Sequence, residues 1–184
     1  MIKRIGHLIN IILLSIAVLT TGSCDRHGTA WNEMDKAESL MDAKPDSALV
    51  VLENIPASSV KGKEAAARYA LLKSMALDKN YIDTTTFDVL QPAIDYYVKH
   101  GSPDEQLRTY YYQGRIYQNQ GNNDLAMQSF MWGKEFCQEA SDTLTIANLM
   151  VAQATIQYRI YKIDDFIENN LEAANEVNPQ SWTG

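Results

Sequence analysis

Reactive side chains are scarce in this sequence. Three histidines and two cysteines occur among 184 residues, and there is no H-E-x-x-H, no G-x-S-x-G, no glycine-rich phosphate loop and no cysteine pair at zinc spacing. His7 and His27 fall near the start of the chain, and His100 falls at a predicted helix end, where facing the negative end of the helix dipole accounts for it. Asp164 and Asp165 are adjacent and point apart on a helix, so they make no general acid–base pair. The expectation is a protein that is not an enzyme, with no catalytic residue, no metal and no cofactor. Clusters of Lys and Arg are also missing. With 16 basic against 23 acidic residues and a formal charge of −7, the surface repels phosphate, and nucleic acid is not an expected partner. Long apolar runs are missing too. The longest, from Leu8 to Leu19, is interrupted by Asn10 and Ser15 and falls short of the roughly 20 residues that cross a bilayer.

That run does fit an export signal. Lys3 and Arg4 precede it, and Thr21, Gly22 and Ser23 follow it as small residues before Cys24. The order resembles the lipobox of bacterial lipoproteins, with Thr21 standing where that family most often has leucine. The resemblance implies a signal peptide over 1–23 and a lipid on Cys24 that holds the mature chain to a membrane. An ordinary cleaved signal with an unmodified Cys24 is the other reading. Removing 1–23 takes away Lys3 and Arg4 and no acid, so 14 basic residues face 23 acidic ones and the formal charge moves from −7 to −9. Cys137 is then left without an intramolecular partner and reads as a small packed apolar residue.

Beyond a linker over 24–30, almost nothing alternates as a strand would, and turn signals recur every fifteen to twenty residues. Eight helices fit. The first includes Asp35 to Met41; the second opens at Pro45 and ends near Pro56; the third runs from Glu64 to Leu77 on strong helix formers. The fourth starts at Thr84 or Thr86, or as late as Gln91 because of Pro92, and stops at His100-Gly101, with the glycine expected in the left-handed conformation. Ser102, Pro103 and Glu105 form a full start signal for the fifth, which reaches about Gln120. Gly121 breaks the chain, and Asn122 or Asn123 caps a sixth helix ending near Glu139. Ser141-Asp142 opens a seventh, and an eighth follows Asp164.

Within the fifth and sixth helices, Tyr110, Gly114, Tyr117, Ala126 and Phe130 stand in the order Y-x2-Q-G-x2-Y…A-x3-F. This spacing resembles the tetratricopeptide repeat (TPR), with Tyr110 for the usual tryptophan and Gln113 for leucine. Tyr158, Leu171 and Ala174 repeat it loosely, as do Ala48 with Leu52, and Ile94 with Tyr97. The fold class expected is therefore all-α: an open right-handed array of about four antiparallel hairpins over 31–178, with a short tail over 179–184. Signal and repeats together resemble a group of repeat lipoproteins of Gram-negative bacteria. That resemblance implies a membrane-anchored protein of the outer membrane, on its periplasmic or surface face.

In such arrays the first helix of each hairpin lines a groove for a peptide, which directs attention to Arg108, Tyr111, Arg115 and Gln118, one stripe of the fifth helix. Two guanidinium groups, a phenol and an amide there can clamp a carboxylate or a peptide backbone. The expected function is a lipid-anchored scaffold for an unidentified protein or peptide partner outside the cytosol. Two alternatives stay open: a glycan-binding accessory lipoprotein, suggested by Tyr96, Tyr97, Tyr110, Tyr111, Tyr112 and Tyr117, and the sensory part of a longer membrane regulator.

Overall fold

The structure is a computed structural model that describes residues 28–177; the expected signal, Cys24, most of the linker and the tail lie outside the described residues. The described chain is all-α, without a strand. Seven α-helices follow one another: α1 Thr29–Leu40, α2 Pro45–Glu53, α3 Lys63–Lys79, α4 Gln91–His100, α5 Pro103–Asn119, α6 Asn123–Lys134 and α7 Thr143–Val177, with a 3-10 turn at Ala57–Ser59. None of them is long and apolar enough to cross a membrane.

Local chemistry sets most of the boundaries. Pro45 and Pro92 sit in the first turns of α2 and α4, where a missing N–H is no loss. That start for α4, at Gln91, takes the latest of the expected positions. Ser102 and Glu105 close a reciprocal capping box: the Ser102 amide donates to Glu105 Oε2 at 2.8 Å, and the Ser102 hydroxyl oxygen accepts from the Glu105 amide at 3.4 Å. Asn122 caps α6 by accepting from the Leu125 amide at 3.1 Å, after Gly121 turns the chain with φ +78°. Gly101 departs from expectation. Its φ is −74°, an extended conformation open to any residue, and the constraint is space instead: a Cβ there would lie 2.8 Å from the Tyr97 carbonyl oxygen.

The helices form two layers. α1, α3, α5 and α7 each touch the next odd-numbered helix, whereas α2, α4 and α6 pack on their odd neighbours and make no substantial contact with one another. Each even helix buries the same pair, a small residue and, one turn on, a large one: Ala48 and Leu52, Ala93 and Tyr97, Ala126 and Phe130, all 2% exposed or less. In α4 the small partner is Ala93, and Ile94, expected in that place, is half-buried. The closest approach is α5 on α6, where a Cβ at Gly114 would lie under 3.0 Å from three atoms of the Phe130 ring. Burying that ring contributes roughly 2–3 kcal/mol.

The expected eighth helix is absent. α7 runs through Asp164 as one helix of 35 residues, about 52 Å long, so the described chain holds three hairpins and a single long helix in place of a fourth. Apolar residues continue across Asp164 at helical spacing, as Ile160, Ile163, Ile167 and Leu171, and no glycine or proline interrupts them.

Candidate functional site

The odd-helix layer presents a face held together by charge. Glu38 on α1 sits between two arginines: Oε2 accepts from Arg68 of α3 at 2.7 Å and Oε1 from Arg108 of α5 at 3.0 Å. Arg68 also pairs with Asp35 at 2.7 Å and lies over the Trp31 ring, 5.0 Å from its centroid. Lys79 reaches back to Asp42 at 3.0 Å, and Arg115 of α5 meets Asp78 of α3 at 2.9 Å. Every one of these pairs ties one odd helix, or the turn after it, to another.

The ladder ends at the start of α7. Arg108 Nε donates to Asp142 Oδ2, while the other oxygen of Asp142 caps the helix by accepting from the Thr145 amide at 3.0 Å. Asp104 accepts from the Ser141 amide at 2.7 Å, the Ser141 hydroxyl at 2.6 Å and the Asp142 amide at 2.9 Å. Burial alone would raise both carboxyls. For Asp104, the Ser141 hydroxyl, the Asp142 and Ser141 amides and Arg108 outweigh it; for Asp142, Thr145 and Arg108 do so; both groups are held below the ordinary carboxylate range. Burial likewise pulls the Arg68, Arg108 and Arg115 guanidinium groups down, and their carboxylates more than offset it.

The four residues expected to bind a partner are brought together on this face, already engaged with their own chain. Arg108 and Arg115 are in the pairs above, and Gln118 accepts from Arg115 at 3.0 Å. Tyr111 is 7% exposed, with its ring 4.9 Å from Tyr112 and 5.9 Å from Phe130. Burial, with the Asp78 charge, pushes its phenol up to about 12. Two openings lie on this face, one of about 240 Å³ between Trp31, Glu64, Arg68, Tyr97, Glu105 and Arg108 and one of about 60 Å³ among Asp42, Lys79, Tyr112 and Asp142.

Of the residues expected to pack the repeat, Gly114 and Phe130 meet at the α5–α6 interface and Tyr110 lies against Trp132 of α6; Ala126 is buried, and Tyr117 is half-buried against Phe87. Gly133 belongs with them and was not singled out in the sequence; a Cβ there would lie 2.9 Å from Leu149 of α7 and 3.2 Å from the Tyr110 Cβ. Its signal was its spacing, one turn after Phe130 on the same face.

The tyrosines singled out in the sequence pack inside or against other rings. Tyr97 and Tyr112 are buried, Tyr96 meets Tyr97 and His100, Tyr110 lies against Trp132 and Phe136, and Tyr117 meets Phe87 edge-on at 5.0 Å. Tyr158 and Leu171, the loose final repeat, stand 64% and 61% exposed. Cys137 is half-buried, its thiol pushed up by burial despite the nearby Lys134. Among the described residues no group of His, Cys, Asp or Glu is arranged to hold a metal ion. No protein-family model, curated protein or solved structure matches the chain.

Proposed function

We propose that this protein is a non-catalytic scaffold of tetratricopeptide-like hairpins, an open right-handed array held to a bacterial membrane by lipid on Cys24, that binds a protein or peptide partner outside the cytosol. The observation that carries the reading is the recurrence of one packing unit. Three even helices bury the same small-then-large pair, and in the last of them Phe130 lies against Gly114 in the Y-x2-Q-G-x2-Y…A-x3-F spacing. Repeating units of that kind leave a long surface that neighbouring units do not consume, and extended surfaces of stacked repeats suit extended partners.

The membrane part of the reading rests on the residues from Lys3 to Cys24. Fractionation of cells expressing Cys24→Ser tests it: the variant is expected to leave the membrane fraction while keeping its helical circular dichroism. A variant still wholly in the membrane fraction overturns the anchor. The scaffold part is tested by crosslinking in cells followed by recovery of the mature domain, with a discrete co-purifying protein expected. Recovery of the domain alone, with and without crosslinker, counts against it.

A further inference from the structure

The arginines of the inner face are already charge-matched to carboxylates of the same chain. The outer layer differs. A trough runs between the segment that follows α2, with Ile55, Ala57 and Val60, and the start of α4, floored by Ala66, Tyr69 and Ala70 of α3. It consists of two cavities, about 450 Å³ and 370 Å³, that share Ala66, Asp88 and Pro92. Each falls within the range of ligand sites, roughly 300–1,000 Å³.

The two halves differ in chemistry. The larger is walled by Ile55, Val60 and Val89, and its rim ammonium, Lys73, is paired with Glu53 at 2.7 Å. The smaller carries Asp88 and Asp95 beside Pro92 and Tyr96, with Lys63 as its one cation. Each of these carboxylates has one oxygen engaged locally: Asp88 Oδ2 accepts from the Thr86 hydroxyl at 2.9 Å, and Asp95 Oδ1 from the Gln91 amide at 2.8 Å. The second oxygen of each has no partner among the described residues. An apolar trough beside two carboxylates and one ammonium, on a chain of net charge −7, is complementary to a ligand that is apolar at one end and cationic at the other.

We propose that this outer groove docks a peptide segment of the partner in which a bulky apolar side chain stands next to a lysine or arginine. The apolar side chain enters between Ile55, Val60 and Val89, and the cation meets Asp88 and Asp95. The proposal rests on the scaffold reading and moves the docking site from the inner layer to the outer one.

The test uses the mature domain and two probes, the capped tripeptides Lys-Phe-Lys and Glu-Phe-Glu, each titrated to about 10 mM while backbone amide shifts are followed by NMR. The lysine peptide is expected to move the amides of Ala66, Val89 and Tyr96, and the glutamate peptide to bind at least about tenfold more weakly. Ala66→Leu, which fills the floor, is expected to abolish the shifts, and the exposed Asp95→Asn to weaken binding severalfold with an unchanged melting curve. Equal binding of both peptides, shifts confined to other helices, or no shift with either peptide overturns the assignment; should Ala66→Leu unfold the domain, Asp95→Asn decides alone. Crosslinked recovery separates the two readings: a partner captured equally by wild type and Asp95→Asn keeps the scaffold and removes the groove, whereas no partner with wild type removes the scaffold.

Discussion

The two halves of α7 carry the same pattern and meet different fates. In the first, Thr145, Leu149, Ala152 and Ile156 are at most 8% exposed, and the helix start is pinned by Asp104 and Asp142. In the second, Ile160, Ile163, Ile167 and Leu171 continue the stripe on the same side of the helix, yet stand 47%, 57%, 50% and 61% exposed. Spacings of three and four residues keep all eight on one face. Apolar periodicity therefore says which side of a helix favours burial, and only the presence of α5 and α6 decides whether burial happens.

Substitutions along α7 and at its anchor should sharpen that contrast. Leu149→Ala, at a site with 0% exposure, is expected to cost about 3 kcal/mol, read as a fall in thermal midpoint of about 6–12 °C. Arg108→Ala should cost about 2 kcal/mol in denaturant unfolding. That is less than the 3–5 kcal/mol typical of a broken buried pair, because the Arg108 side chain retains 22% exposure, although it strands Asp142 at 12%. Acid acts at the same anchor. The Asp104 and Asp142 carboxyls are lowered in the folded state, so the unfolded chain binds more protons, and their stabilisation is present above the unfolded value near pH 4 and lost as pH falls through the lower folded values. Asp104→Asn should make unfolding less steep in acid over that window, as followed by circular dichroism. The smallest effect is expected at Ile163→Ala, within about 0.5 kcal/mol; a loss comparable to that of Leu149→Ala would mean that the second half is covered after all.

The parts of the fold legible in the sequence were those written in local chemistry. Ser102 and Glu105 announced their helix because a capping box needs only four consecutive residues, and Gly114 with Phe130 announced a close helix pair through spacing. Asp164-Asp165 misled, because acids favoured in a first turn are also tolerated within a continuing helix. The stripe of Arg108, Arg115 and Gln118 was legible as a stripe, and its ion pairs were not. Arg108 lies 70 positions from Glu38 and 34 from Asp142 in sequence, and no local pattern encodes partners that far apart. Tyr111 was placed with the polar residues of the stripe, yet α5 is covered on more than one side, and its ring is inside.

Glu38 has a consequence for how the chain comes apart. In a stack whose units touch only near neighbours, terminal units fray independently, and stability is roughly a sum of local terms. One carboxylate gripped by α3 and α5 at once joins the first described helix to two later ones, so opening α1 strips Arg68 of both its carboxylates and Arg108 of one of its two, along with exposing its own apolar face. The N-terminal end is thereby made cooperative with the centre, and amides of α1 should exchange with solvent at rates approaching those of α3 rather than those of a loose end. Glu38→Gln would cut the direct tie to α5 and leave α1 held to α3 by Asp35 and Asp42, so its amides should exchange faster than those of α3.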